Sequence, residues 1–75
     1  MREKILGILQ GVRGDVDFEA ETALADDGIL DSFDIVMLVN ELDGAFHTHI
    51  NIVDIVPGNF NSVDTILKLM ERIVP

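Results

Sequence analysis

The chain has 75 residues, 48% of them hydrophobic, which is enough apolar material for the core of one small domain. Five basic and 14 acidic residues give a formal net charge of −9, and charge repulsion therefore argues against a nucleic-acid partner. The chain has no cysteine, which excludes a secreted disulfide scaffold and means that any thiol chemistry needs a thiol from outside the polypeptide.

The acidic residues are concentrated in the middle of the chain. Residues 14–67 contain no Lys or Arg and hold 12 of the 14 carboxylates. A surface of this charge attracts and steers a basic partner surface. A solvated face that only keeps the protein soluble is an equally good explanation of the charge pattern.

The first predicted element is an amphipathic helix over residues 2–13, which Gly14 ends. Gly7 and Gln10 interrupt its apolar run, so we interpret it as a helix rather than a signal peptide. No stretch approaches the length of a membrane span, and we expect a cytoplasmic protein. One face of the helix carries apolar residues at helical spacing: Ile5, Ile8, Leu9 and Val12.

A connection over about residues 14–31 comes next, and it is long for a domain of this size. Long loops in compact domains are usually functional or packed by their own side chains. Four apolar residues are available for such packing: Phe18, Leu24, Ile29 and Leu30.

Two more helices are predicted, over residues 32–46 and 62–74. Ser62 is a natural N-cap for the last one, and Asp64 lies in its first turn. Between these helices, residues 52–56 are expected to form one short helical turn that ends at Pro57 and Gly58. The predicted fold class is therefore all-α. We expect a small four-helix bundle, with three main helices, one short helix and a long loop between helices one and two.

The start of the second helix carries a serine in a distinctive position. Asp31 is well placed to cap the helix with its carboxylate, which leaves the Ser32 hydroxyl free near the surface. A phosphodiester on Ser32 would lie against free backbone N–H groups at the positive end of the helix dipole. Asp-Ser is also a common capping pattern, so the local sequence alone does not decide whether anything is attached.

The segment Asp31-Ser32-Phe33-Asp34 resembles the Asp-Ser-Leu-Asp attachment motif of the acyl carrier protein family. The resemblance covers nearly the whole chain, because the order and spacing of the predicted helices are also similar. Further points of similarity are Gly28-Ile29-Leu30 before the motif, Phe46 at the end of helix two, and residues 59–64 before the last helix.

This resemblance implies a single carrier domain over residues 1–75, free-standing and monomeric, with no enzymatic activity of its own. A separate phosphopantetheinyl transferase would move 4′-phosphopantetheine from coenzyme A to Ser32, and the arm's thiol would hold the cargo as a thioester. The other implied partners are loading and processing enzymes with basic docking surfaces. They would recognise helix two, where the corresponding residues are Asp31, Phe33, Asp34, Val36, Met37, Asn40 and Glu41.

In carriers of fatty-acid synthesis the cargo can shelter between the helices, which implies a similar space in this chain. Ordinary core packing is the simpler interpretation of each residue that could line it. These residues are Val36, Leu42, Ile52, Ile55 and Ile66.

Helix two also departs from the family pattern. Met37 and Asn40 are neutral, and Phe33 replaces the commoner Leu after the serine. Residues 35–39 are apolar all round, more than one buried face requires, so part of this stretch should be exposed as an interaction surface. These departures indicate a specialised carrier with dedicated partners.

No metal site is predicted. Residues 15–26 resemble a calcium loop in the spacing of their carboxylates, but Ala20 stands where Gly is required and Asp26 where Glu is required. His47 and His49 are only two potential ligands, and they are interpreted as loop residues.

Three functions remain open from the sequence. The first is an acyl carrier for fatty-acid, polyketide or specialised lipid biosynthesis. The second is an aminoacyl carrier, of the peptidyl or D-alanyl kind. The third belongs to another class: an unmodified, acidic helical module that binds a basic partner protein.

Overall fold

A computed structural model of the chain describes residues 1–75, which form three α-helices and no β-strand. The helices are α1 (Arg2–Val12), α2 (Ser32–Phe46) and α3 (Val63–Ile73). The predicted all-α class is confirmed, and each helix begins and ends within one residue of its predicted bounds. None of the helices has the length and apolar character that crossing a membrane requires.

The core forms where α1 packs against both α2 and α3. It contains only hydrophobic residues, and no polar side chain is buried. Each helix contributes through the face that its apolar spacing predicts, and the long loop supplies three further side chains. The fully or nearly fully buried core residues on the helices are Ile5, Leu9, Leu38, Leu42, Val63, Ile66, Leu69 and Met70.

The connection between α2 and α3 differs from the prediction. It holds two 3₁₀ turns, Ile52–Asp54 and Pro57–Asn59, and no short α-helix. The Asn51 side chain caps the first turn by accepting a hydrogen bond from the Val53 N–H. Pro57 begins the second turn, where its missing N–H needs no partner. The expected single turn that ends at Pro57 is therefore replaced by two turns, the second of which starts there.

The long loop between α1 and α2 is packed by its own side chains, as expected. Phe18, Leu24 and Leu30 are buried, and Ile29 is partly buried against the core. Asn61, just before α3, holds the middle of this loop. Its carbonyl oxygen accepts from the Leu24 N–H at 2.8 Å. Its side-chain oxygen accepts from the N–H groups of Ala25 at 3.1 Å and Asp26 at 2.9 Å.

Replacing Asn61 with alanine is expected to destabilise the protein by about 2 kcal/mol, because two loop N–H groups lose their acceptor. Chemical denaturation followed by circular dichroism measures this loss. Asn40→Ala is the matched control, since Asn40 is exposed on α2 and the change should be neutral or slightly stabilising there. Equal stability of the two variants would show that Asn61 does not hold the loop.

Two residues adopt left-handed backbone conformations, and only one of them is glycine. His47, which ends α2, has φ 55°, while Gly28 has φ 72°. Replacing His47 with glycine is expected to stabilise the protein by about 0.5–1 kcal/mol, because glycine adopts this conformation without steric cost. Gly28→Ala should act in the opposite direction, although a Cβ there meets no atom within 4 Å. Thermal unfolding should show a higher midpoint temperature for His47→Gly and a lower one for Gly28→Ala than for the wild type.

Candidate functional site

The N-terminus of α2 is closed by a reciprocal pair of hydrogen bonds. The Asp31 carboxylate accepts from the Asp34 N–H at 2.8 Å, and the Asp34 carboxylate accepts from the Asp31 N–H at 3.3 Å. This is a capping box, which satisfies two backbone donors at the helix start. The predicted role of Asp31 as the cap is confirmed.

Ser32 is the first residue of α2 and is exposed. Because Asp31 and Asp34 make the capping bonds, the Ser32 hydroxyl is not needed for capping. Histidine, the usual general base, is far from this hydroxyl. His47 lies at the other end of the 15-residue helix, about 20 Å away at 1.5 Å per residue. The carboxylates beside Ser32, those of Asp31 and Asp34, are both engaged in the capping box.

An apolar cleft of about 270 Å³ opens beside Ser32, between α2 and residues 55–60, which include the second 3₁₀ turn. Val36 and Ile55, two of the residues expected to line a cargo space, do line it. The other three do not. Leu42 and Ile66 are fully buried in the core, and Ile52 is 80% exposed outside the cleft. The complete lining is Ser32, Ile35, Val36, Ile55, Val56, Pro57 and Phe60.

The proposed docking residues of α2 are exposed with one exception, Asp34. Only 13% of the Asp34 side chain is exposed, and it accepts hydrogen bonds from Arg13 and from the Asp31 N–H. Asp34 therefore has a structural role, and its expected contact with a partner stays a prediction. The exposed residues of the set are Asp31, Phe33, Val36, Met37, Asn40 and Glu41, and we call them the α2 face.

Apolar side chains form a large part of the exposed surface near the cleft. The expected partial exposure of residues 35–39 is confirmed, because Val36 and Met37 face solvent while Leu38 and Val39 are buried. Phe33 is 70% exposed. The 3₁₀ turns and the residues after them add exposed apolar side chains that the sequence did not single out, Val53 and Val56. Exposed apolar surface of this kind often marks an interaction site.

Arg13 is the residue at this site that sequence reasoning missed. Its Nη1 donates to the Ile29 carbonyl oxygen at 2.8 Å and to the Asp34 carboxylate at 3.2 Å. Its Nε and Nη2 donate to the two carboxylate oxygens of Asp15, each at 3.1 Å. The signal was present in the sequence, because Arg13 is the only cation between Lys4 and Lys68.

The contacts of Arg13 also affect charge at the site. The hydrogen bond from Arg13 holds the pKa of Asp15 below its usual range, and the same bond, with that to Asp34, raises the pKa of Arg13. Asp15 therefore stays charged, and paired with Arg13, to a pH below the ordinary pKa of an aspartate. Its contribution to stability is lost as the pH falls through the lowered pKa of Asp15.

Three carboxylates of the long loop each have a different side-chain partner. Glu19 pairs with Arg2 at 2.7 Å, Asp15 pairs with Arg13, and Asp26 accepts from the Asn61 side chain. No group of three or more His, Asp or Glu side chains is arranged to hold a metal ion. The carboxylates that are spaced as in a calcium loop along the sequence therefore do not come together around one point in the structure.

A second groove, of about 550 Å³, lies between α1 and α2 and does not include Ser32. Gly7 and Gly11 form its α1 side, and Met37 and Glu41 line it from α2. Lys4 lies at this groove, with Nζ 5.1 Å from the centre of the Phe46 ring. This groove separates the exposed edge of α2 from α1.

Comparison of the chain with protein-family models, with curated proteins and with solved structures found no match. The chemically distinctive arrangement is a free, exposed hydroxyl at a helix N-terminus, next to an apolar cleft and an exposed, partly acidic helix face.

Proposed function

We propose that the protein is a carrier of the acyl carrier type, with Ser32 as the attachment point for 4′-phosphopantetheine. The observation that carries this proposal is the position of Ser32: exposed, released from capping by Asp31, and at the mouth of an apolar cleft. The fold would be a variant of the carrier bundle, with two 3₁₀ turns in place of the short helix.

The residues around Ser32 fit a covalently attached 4′-phosphopantetheine. In the attachment step the Ser32 oxygen would form a bond to the pantetheine-side phosphorus of coenzyme A, and the broken P–O bond would release 3′,5′-ADP. The serine proton would pass to a base of the transferase. The N–H groups of Ser32 and Phe33, which the capping box does not use, would then be available to the phosphodiester. When bound, the arm supplies a thiol that holds the cargo as a thioester.

The lining of the cleft favours an acyl cargo over an aminoacyl cargo. Apart from Ser32, every residue of the lining has an apolar side chain. An aliphatic chain gains from burial there, whereas the ammonium group of an aminoacyl cargo would lose hydration without finding a partner. A small aminoacyl group would stay outside, and the cleft would have no role.

Intact mass spectrometry tests the attachment directly. The protein is incubated with coenzyme A, magnesium and a broad-specificity phosphopantetheinyl transferase, and we expect a gain of one phosphopantetheine. A chain shown to be folded by circular dichroism that gains no mass would contradict the proposal. That result would favour the alternative function, an unmodified acidic helical module that binds a basic partner protein. The observation that supports this alternative is the exposed apolar and acidic surface.

The cargo can be tested on the modified protein. We would load it with a hydrolysis-resistant octanoyl analogue or an alanyl analogue and record methyl NMR shifts. The octanoyl form is expected to shift the methyl groups of Ile35, Ile55 and Val56, which line the cleft. Val53, exposed outside the cleft, is the internal control. Equal shifts with both analogues, or none with octanoyl, would contradict an acyl cargo held in the cleft.

Docking of the transferase should depend on salt. We expect kcat/KM for modification to fall by about tenfold between low and high salt, because ions screen the attraction between the acidic α2 face and a basic partner. Glu41→Gln should lower the rate at low salt and match the wild type at high salt. Glu71→Gln, which removes an exposed carboxylate from α3, should have little effect at either salt concentration. A salt-independent rate would argue against this face as the docking surface.

A further inference from the structure

The hydrogen bonds of Arg13 bracket Ser32 along the chain. One acceptor, the Ile29 carbonyl, precedes Ser32 by three residues, and the other, the Asp34 carboxylate, follows it by two. Both bonds come from the same nitrogen, Nη1. The Asp34 carboxylate also accepts from the Asp31 N–H, so the guanidinium is connected through Asp34 to the residue directly before Ser32.

Packing holds the chain at Leu30, which is buried, and at Ile35, which is partly buried, but not at the residues between them. Asp31, Ser32 and Phe33 are all exposed, and the first buried residue of α2 is Leu38. Helix ends fray when few contacts restrain them. Between Leu30 and Ile35, the chain is restrained by the capping box and by the bond of Arg13 to the partly buried Asp34.

We propose that Arg13 is a positioning residue for Ser32. Its guanidinium joins the end of the long loop to the first turn of α2, and so fixes the direction in which the Ser32 hydroxyl is presented to the modifying enzyme. The inference rests on the proposed carrier function. Arginine suits this task better than lysine, because its planar fork reaches several acceptors at fixed angles whereas an ammonium group acts as a point charge.

Single-turnover modification kinetics, with the transferase in excess, test the proposal. For Arg13→Gln we expect the maximal rate to fall by about tenfold, because a misplaced reacting group lowers the rate steeply. The half-saturating transferase concentration should stay within about twofold of that of the wild type, because the charged and apolar residues of the α2 face are unchanged. The maximal rate of Arg13→Lys should lie between those of the wild type and Arg13→Gln.

Asp15→Asn is the matched control. It removes a carboxylate partner of Arg13 but leaves both Nη1 bonds available, so its rate should be close to that of the wild type. A second measurement is hydrogen exchange at the Asp34 amide, which donates to the cap. Its exchange should accelerate in Arg13→Gln and stay unchanged in Asp15→Asn. All assays use a temperature at which circular dichroism shows each variant folded, and Arg13→Lys replaces Arg13→Gln if the latter does not fold.

The possible outcomes separate the two proposals. If the wild type is modified and Arg13→Gln reacts at the same maximal rate, the positioning role is wrong and the carrier function stands. An equal loss of rate in Arg13→Gln and Asp15→Asn also contradicts it, because general loosening of the loop would then be the cause. An increase in the half-saturating concentration alone would make Arg13 a docking residue instead. If the folded wild type is not modified, both proposals fail.

Discussion

Replacing Ser32 with alanine is expected to abolish the attachment of phosphopantetheine completely and to leave the domain folded. The attachment requires the hydroxyl oxygen, and no other group in the first turn of α2 can replace it. Stability should change by less than about 0.5 kcal/mol, because the capping bonds come from Asp31 and Asp34 and the side chain is exposed. Intact mass and thermal unfolding, measured on the same sample, give both results.

Ser62 provides the matched control, because it is the only other serine in the chain. Its hydroxyl oxygen accepts from the Thr65 N–H at 3.1 Å and caps α3. Ser62→Ala should therefore still be modified but lose about 1 kcal/mol of stability. The two serines are thus expected to show opposite phenotypes. A mass gain on Ser32→Ala, or a large stability loss in that variant, would show that Ser32 is not the attachment site or that its role is structural.

Phe60→Ala is expected to produce the largest loss of stability, about 3–5 kcal/mol. Phe60 is fully buried, and its ring is one of the largest side chains of the core. It also forms part of the apolar cleft beside Ser32. A domain of this length has a total stability of only about 4–11 kcal/mol, so much of the variant would be unfolded at moderate temperature. Urea denaturation measures the free energy of unfolding.

Phe33→Ala removes the same atoms from a side chain that is 70% exposed. Its free energy of unfolding should stay within about 0.5 kcal/mol of the wild-type value. The same variant should nevertheless weaken docking, because aromatic side chains on an exposed face commonly anchor partners. Similar stability losses in the two phenylalanine variants would contradict the assignment of Phe60 to the core and of Phe33 to the α2 face.

Local interactions account for the features that were predicted correctly. The three helices follow from apolar residues three and four positions apart, which need only one buried face each. The caps at Asp31 and Ser62 join groups three residues apart, so the local sequence contains both partners. The buried side chains of the long loop were also predictable, because long loops in compact domains are usually packed by their own side chains.

The sequence by itself therefore determined the helical class, the helix bounds and the free hydroxyl of Ser32. Only the tertiary structure decided which residues surround that hydroxyl. The path of the chain around Pro57 brings Val56 and Phe60 to the cleft, and Leu42 and Ile66 turn into the core. Arg13 reaches acceptors 16 and 21 residues away, and one of them is the partly buried Asp34 carboxylate. Such contacts depend on how the elements pack, and local periodicity contains no information about partners so distant in the chain.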